Sequence, residues 1–296
     1  TTLTLASVGG TATLSADVDV TTLTVGNTVA NVAFTGNGSS VTNAVSFAND
    51  GTLTLGTSGG TQTYNGGLTT TSVAGTVTLN GTIASSNDAI TLGAVTLGSA
   101  TTIDTNATNT DGDITIGAVT GGSNTLTLTT ENNVTGTDIT ASGNISGVTT
   151  LTLVNVGGTA TFSNNVVTTD LTVGNTVANV RFNGSTNTFT NAVNFQNDGT
   201  LTFGNATSDS FTFNGGLTTS SVAGTVTLNT SISSSDDALT FGAITLGNNV
   251  TIDTNSTTTN RADITIGAVT GGSNTLTLTT ENNVTGTDIT ASGNIS

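Results

Sequence analysis

The chain has 296 residues and a formal net charge of −16, with two Arg as its only basic side chains and no His, Cys, Pro, Met or Trp. Nucleic-acid binding is not expected, because no basic patch can neutralise phosphates. Thiol chemistry is excluded, and general acid–base catalysis lacks His and Lys, so the chain is not expected to be an enzyme. No run of about 18 apolar residues occurs, and no membrane insertion is expected in this segment.

Short segments of alternating apolar and polar residues run along the chain, and this period of two predicts strands with one buried face. In the first half these segments are, in chain order, Leu3–Leu5, Leu23–Val25, Val45–Phe47, Leu53–Leu55, Val77–Leu79, Ile90–Leu92, Val95–Leu97, Ile114–Ile116 and Leu126–Leu128. Turn dipeptides such as Asn65-Gly66 and Gly121-Gly122 separate them. Helical spacing is not sustained anywhere, so the predicted fold class is all-β.

A long internal repeat organises these strands. The segment Leu23–Val32 returns unchanged as Leu171–Val180, and Asp113–Ser146 returns residue for residue as Asp263–Ser296. Repeats of this kind predict stacked units that share one continuous core.

The repeat boundaries follow from the offset between the copies. The offset grows from 148 to 150 through one-residue slips near 57–62 and near 106–112, both in polar stretches where a loop can absorb an extra residue. We predict two repeats, 1–148 and 149–296, in one continuous stack, and we interpret the chain as a window of a longer array.

A parallel β-solenoid accounts for the strands better than a sandwich, because the strands are too many and too short for a two-sheet domain. Coils of roughly 22 residues would place about seven coils in each repeat, with neighbouring strands about 4.8 Å apart. Open solenoid ends carry unpaired backbone groups, so copies of the chain are expected to join end to end and possibly side by side.

Differences between the two copies indicate which positions face inward. Five apolar positions exchange one apolar residue for another: Leu14, Val41, Leu55, Tyr64 and Leu92 become Phe162, Phe189, Phe203, Phe213 and Phe241. Ala33 instead becomes Arg181, between Val180 and Phe182. The alternation therefore predicts buried Val180 and Phe182 and an exposed Arg181.

Runs such as Gly75–Gly81 and Ala89–Gly98 resemble the β-strand repeats of large bacterial surface proteins, including autotransporter passenger domains and haemagglutinin-like adhesins. The resemblance covers the whole chain but lies in composition and pattern. It implies a right-handed parallel β-helix, export, and display on the cell surface or release from it, and it carries over no catalytic or binding residue.

Oxygen-rich side chains point to calcium as the one metal hypothesis, since hard cations prefer oxygen ligands. The candidates are Asp104, Asn106, Asp111 and Asp113, in a stretch that is altered in the second copy, where Arg261 appears. Neither copy fits an EF-hand register. A solvated loop is the favoured interpretation, with weak calcium binding as the alternative and no other cofactor expected.

Other site hypotheses have weaker support in the sequence. The carboxylate pairs Asp17/Asp19, Asp111/Asp113 and Asp236/Asp237 could serve glycoside hydrolysis, but the chain is poor in the aromatic residues that bind sugars. Asn-x-Ser/Thr acceptors such as Asn80, Asn106, Asn133 and Asn229 make surface glycosylation plausible.

Thr-x-Thr motifs raise ice binding as a lesser alternative. Successive motifs begin 20, 30, 24 and 49 residues apart, which argues against one regular row. The leading prediction is an extracellular or cell-surface fibre, a stiff rod or filament of solenoid repeats. The alternative is an adhesin stalk or binding module that contacts glycans or other cells.

Overall fold

The computed structural model describes residues 1–106, 108, 112–130, 135–255, 262–280 and 286–296. The helices and strands assigned within these ranges are all β-strands. These strands pair with one another in parallel. The chain forms two compact units, Thr1–Gly158 and Thr159–Ser296. Each is built of stacked coils, so the predicted all-β, parallel β-solenoid fold is confirmed. No helix in the described residues is long and apolar enough to span a membrane.

Sixteen strands of the described residues lie wholly in the first unit. They are β1 (Thr2–Leu14), β2 (Asp19–Val20), β3 (Thr22–Phe34), β4 (Ser40–Val41), β5 (Val45–Ser46), β6 (Leu53–Leu55), β7 (Thr61–Tyr64), β8 (Leu68–Thr69), β9 (Val77–Ser85), β10 (Ile90–Leu92), β11 (Val95–Asp104), β12 (Ile114–Ile116), β13 (Val119–Thr120), β14 (Leu126–Thr129), β15 (Ile139–Ala141) and β16 (Ile145–Val154). The next strand, β17 (Val156–Phe162), contains the boundary between the units.

Each coil of the first unit passes through three faces. One coil illustrates the path: its first face holds Val77–Leu79, its second face holds Gly81–Ser85, and its third face holds Ile90–Leu92. Pairing with the next coil keeps this order, because Val77 aligns with Val95 and Ile83 with Ile103.

Columns of apolar residues run through these faces, and all of their members except the half-buried Ala12 are buried. The first-face column is Ala12, Val32, Leu53, Val77, Val95, Val119 and Ile145, and the third-face column is Val45, Leu68, Ile90, Ile114 and Ile139. Neighbours in the first-face column lie between 18 and 26 residues apart, with a mean of about 22. The loops and an irregularity of β11 between Leu97 and Thr101 absorb this variation, so the core residues stay aligned.

The described part of the second unit contains sixteen further strands. They are β18 (Val166–Val173), β19 (Val177–Phe182), β20 (Thr186–Phe189), β21 (Val193–Asn194), β22 (Leu201–Phe203), β23 (Ser210–Phe213), β24 (Leu217–Thr218), β25 (Val226–Leu228), β26 (Ser231–Ser234), β27 (Leu239–Thr240), β28 (Ile244–Leu246), β29 (Val250–Asp253), β30 (Ile264–Ile266), β31 (Val269–Thr270), β32 (Leu276–Thr279) and β33 (Ile289–Ala291).

Phenylalanine fills more of the core in the second unit than in the first. Phe162 and Phe182 stack with ring centroids 4.9 Å apart, and Phe189 and Phe213 stack at the same distance. Such pairs contribute beyond the area they bury. All four side chains are fully buried, as the exchanges between the copies predict for Phe162, Phe189 and Phe213 and the alternation predicts for Phe182.

The exposed charge predicted on the second unit is confirmed. Val180 and Phe182 are 1% and 0% exposed, whereas Arg181 lies on the surface and donates through Nε to Asn183 Oδ1 at 2.9 Å.

The first one-residue slip lies in a loop, as predicted. The loop between β22 and β23 spans 204–209, one residue longer than the loop 56–60 between β6 and β7. Asp209 Oδ2 closes the longer loop by accepting the amides of Asn205 and Ala206 at 2.9 and 3.0 Å. The second slip falls on a stretch that includes residues outside the described ranges.

The compact units and the sequence repeats divide the chain at different residues. The units meet at 158/159, ten residues beyond the predicted repeat boundary at 148/149. The unit boundary marks where the chain divides into compact bodies, whereas the repeat boundary marks where the sequence begins to recur. The repeat boundary therefore stays a prediction.

Candidate functional site

The calcium candidates of the first unit serve as hydrogen-bond acceptors or donors within and between coils. Asp104 Oδ1 accepts the Asn106 amide at 2.8 Å, and Asn106 Nδ2 donates to Ser85 O at 3.0 Å. Asp113 Oδ1 accepts the Asp138 amide at 2.8 Å.

Three of the four candidates, Asp104, Asn106 and Asp113, therefore take part in hydrogen bonds of the solenoid. Asp111, the fourth candidate, lies outside the described residues, as does Arg261 in the second copy. Within the described ranges no group of three or more acidic side chains is placed to hold an ion. Calcium binding stays a prediction.

Of the carboxylates considered for hydrolysis, Asp19 lies in β2, Asp111 lies outside the described residues, and the others lie between strands. Asp17 Oδ1 accepts the Gly38 amide of the following coil at 2.7 Å. Asp236 adopts a left-handed backbone conformation with φ of 66°, and the carbonyl oxygen of Asp237 accepts the Ser234 hydroxyl at 2.5 Å. Asp17 thus links two successive coils, and the Asp237 backbone accepts a local hydrogen bond of the kind that is common in turns.

Threonine hydroxyls form regular ladders on the outside of the first unit. The first-face ladder is Thr54, Thr78, Thr96 and Thr120, the second-face ladder is Thr61, Thr82, Thr102, Thr127 and Thr152, and the third-face ladder is Thr69, Thr91, Thr115 and Thr140. β-Branched residues suit such exposed strand positions.

The ladders overturn the expectation that unevenly spaced Thr-x-Thr motifs cannot form a regular row. Uneven spacing along the chain does not prevent the Thr residues from aligning, because loops and an irregularity within β11 take up the differences in coil length. Thr54 and Thr78 pair directly although they are 24 residues apart. The Thr-x-Thr motif itself does not recur in every coil. Ala94 and Ala118 stand two positions before Thr96 and Thr120, so this part of the first face carries a single row of Thr and not two parallel rows.

A shallow groove lies beside the first-face ladder of the first unit and recurs in the second. The first groove has a volume of about 370 Å³ and is lined by Ala74, Gly75, Thr76, Ala94, Val95, Thr96, Ala118 and Thr120. The second, of about 340 Å³, is lined by Ala223, Gly224, Thr225, Ala243, Ile244, Thr245, Ala268 and Thr270. Each lining residue of one groove corresponds to one of the other in the repeat.

The sequence did not reveal these grooves. The signal that could have found them is the small residue two positions before Thr96 and Thr120, namely Ala94 and Ala118. Small side chains at the edge of a face leave a depression between bulkier neighbours. The grooves contain no charged lining residue.

Two buried asparagines occupy equivalent corner positions and were also missed. Asn49 Nδ2 donates to the carbonyl oxygens of Gly51 and Thr52, both at 3.0 Å. Asn197 Nδ2 makes the same pair of bonds in the second unit, to Gly199 and Thr200. These amides satisfy backbone carbonyls that the turn would otherwise bury.

Comparison with protein-family models, curated proteins and solved structures finds no match for the chain.

Proposed function

We propose that this chain is a structural protein of an extracellular or cell-surface fibre, in which solenoid coils form a stiff rod or filament. The observation that carries the proposal is the continuity of the core columns. In the first unit Leu53, Val77 and Val95 lie in successive coils and are 0–3% exposed. Each coil buries its apolar residues only by stacking on its neighbours, which favours a molecule that extends along one axis.

The outer surface supports a scaffold more than a catalyst. Its ladders repeat one neutral hydroxyl side chain from coil to coil, as Thr78, Thr96 and Thr120 do. The excess of acidic residues gives a net charge of −16, which favours solubility and discourages non-specific lateral aggregation. The absence of Cys is compatible with stability that is gained from length.

An adhesin stalk or glycan-binding module is the alternative function. The recurrence of the same groove in both units favours it, because repeated shallow sites suit a long polymeric ligand. Replacing Ala94 by Trp would fill the first groove, and Ala243→Trp would fill the second. Loss of glycan binding in these variants, with unchanged filaments, would support the binding module.

Immunogold electron microscopy of cells that produce the chain tests the proposed function. Antibodies against the 296-residue chain should label surface filaments at intervals along their length. The control is a strain from which the coding sequence has been deleted, which should lose both the label and the filaments. Label confined to filament tips would favour the adhesin, and label inside the cell would contradict both functions.

A further inference from the structure

Five asparagines are followed directly by glycine: Asn37, Asn65, Asn80, Asn183 and Asn214. Asn is among the thermally labile residues of proteins. Its amide is lost when the backbone nitrogen of the next residue attacks the side-chain amide carbon, and Gly shields that nitrogen least because it has no Cβ. Whether a pair reacts in the folded chain therefore depends on what holds the Asn side chain and the glycine N–H.

Asn214 and Gly215 occupy the centre of a tight turn in the second unit. Gly216 N donates to Phe213 O at 2.9 Å and closes the turn around them. Among the described residues the Asn214 side chain has no hydrogen-bond partner, and the Gly215 N–H has no acceptor. Both residues are half-buried, so water reaches them. Neither of the two reacting groups is held.

The corresponding turn of the first unit differs by one hydrogen bond. The Gly66 N–H also has no acceptor among the described residues. Asn65 Nδ2, however, donates to Ser40 Oγ of the preceding coil at 3.2 Å. This bond must break before the amide carbon of Asn65 can turn towards Gly66 N.

Two further pairs are held at the glycine nitrogen. Gly38 N donates to Asp17 Oδ1 at 2.7 Å, and Gly81 N donates to Ser99 Oγ at 3.2 Å. A backbone nitrogen must lose its proton to attack a carbonyl carbon. An acceptor that holds this proton, above all a carboxylate, opposes the attack.

The fifth pair is held at its side chain. Asn183 Oδ1 accepts a hydrogen bond from Arg181 Nε at 2.9 Å, which fixes the amide. Gly184, the following residue, is buried, so water has little access to a product formed there.

We propose that Asn214 is a site of spontaneous deamidation and is modified before the other four asparagines. Gly215 N loses its proton and bonds to Asn214 Cγ, the bond from Cγ to Nδ2 breaks, and ammonia leaves. Water then adds to one of the two carbonyl carbons of the resulting succinimide and breaks the bond from that carbon to Gly215 N. Opening at Cγ gives aspartate, and opening at the backbone carbon gives isoaspartate.

Isoaspartate disturbs the corner at which it forms. It lengthens the main chain by a methylene group between Asn214 and Gly215. The backbone is closely packed there, since a Cβ on Gly215 would lie 2.4 Å from Ala192 N of the preceding coil. Either product also adds a negative charge to a chain whose net charge is already −16.

Peptide mass spectrometry of the purified 296-residue chain tests the proposal. The folded chain is incubated at mildly alkaline pH and sampled at intervals, and each sample is digested at acidic pH. Deamidation raises the mass of a peptide because an amide becomes a carboxylate. The peptide that contains Asn214 should convert about fivefold faster than the one that contains Asn65, the factor in rate to which one ordinary hydrogen bond corresponds.

Ser40→Ala removes the bond that holds Asn65. In this variant the conversion of Asn65 should accelerate about fivefold and approach that of Asn214, whose own rate should stay unchanged. Ser46→Ala is the matched control, because Ser46 is an exposed serine of the same unit and should leave the rate at Asn65 unaltered. Circular dichroism shows whether both variants remain folded.

The outcomes decide whether bonding in the fold selects the site. Asn37 is exposed, so reaction first at Asn37 would show that exposure decides and would overturn the proposal. Equal rates at Asn65 and Asn214 in the folded chain would overturn it as well. Unfolding in urea should bring the five rates close together, and a ranking that persists in urea would show that the local sequence selects the site. The result does not depend on the proposed fibre, because the purified chain is measured.

Discussion

The Tyr64 hydroxyl donates a hydrogen bond to Gln62 Oε1 at 3.0 Å inside the first unit, and both side chains are almost fully buried. Gln62 Nε2 in turn donates to Phe34 O at 2.7 Å. The corresponding positions of the second unit hold Phe211 and Phe213, whose rings pack in an apolar cluster. The same coil position therefore accepts either a hydrogen-bonded polar pair or two aromatic rings.

A double-mutant cycle on this pair should show strong coupling. Tyr64→Phe leaves Gln62 Oε1 without its donor, and Gln62→Leu leaves the Tyr64 hydroxyl unpaired, so each single change should lower the free energy of unfolding by about 1–3 kcal/mol. The double variant should lose less than the sum, because Phe34 O still accepts the Gly56 amide at 3.0 Å. Urea unfolding followed by circular dichroism measures the cycle, and strictly additive losses would refute the coupling.

Alkaline pH should destabilise the chain through Tyr64. Burial raises the pKa of Tyr64 well above its ordinary value of 10.0. Below pH 10 the phenol is protonated in both states, and the full stability is present. Above about pH 10 the unfolded phenol ionises first, so the free energy of unfolding should fall by about 1.4 kcal/mol per pH unit until the folded pKa is reached.

The composition makes this alkaline titration unusually simple to read. Tyr64 is the only Tyr, and Lys and Cys are absent, so tyrosinate absorbance reports a single group. Tyr64→Phe is the control and should remove the loss of stability above pH 10. A loss that persists in Tyr64→Phe would show that another group causes it.

The buried amides at the coil corners should be sensitive to a single-atom change. Asn49→Asp or Asn197→Asp replaces a donor that contacts backbone carbonyls by an acceptor, which should cost about 2 kcal/mol or more. Asn43→Asp, at an exposed position, is the matched control and should change stability by less than about 0.5 kcal/mol. Equal effects at positions 43 and 49 in thermal unfolding would contradict this role.

Two corner glycines should resist replacement by any residue with a side chain. Gly67 and Gly216 both have φ of 91°, and a Cβ at either would lie 2.7 Å from the carbonyl oxygen of the next coil, that of Ala89 or Ala238. Gly67→Ala and Gly216→Ala should each destabilise their unit by more than about 1 kcal/mol. Gly9→Ala, where a Cβ meets nothing within 4 Å, should be close to neutral in the same unfolding experiment.

The sequence predicted the strands and the inward positions well, because period-two alternation directly records which face of a strand is buried. Val180, Arg181 and Phe182 show this, since their buried, exposed, buried order follows from their apolar or charged character alone. Comparison of the two copies strengthened the prediction, because core positions such as Phe189 changed only to another apolar residue.

Features that depend on contacts between coils could not be predicted. The alignment of Thr54 with Thr78 depends on how many residues each loop takes up, and loop lengths follow no short-range rule. Gln62 was missed as a core residue because its polar character indicates exposure, although Phe211 in the second copy marks the position as buried. The calcium candidates were chosen for their oxygen-rich side chains; the structure shows three of them in hydrogen bonds of the coils, and calcium binding stays a prediction.

A power spectrum of the surface filaments is the most direct test of the proposed solenoid fibre. Filaments that carry the antibody label should give a meridional reflection near 4.8 Å, because coils stacked along the filament axis repeat at the spacing between neighbouring strands. A longer axial repeat of roughly 30 Å should accompany it, since a repeat of about seven coils advances by that distance. Labelled filaments without the meridional reflection near 4.8 Å would contradict the proposal that the coils stack along the fibre.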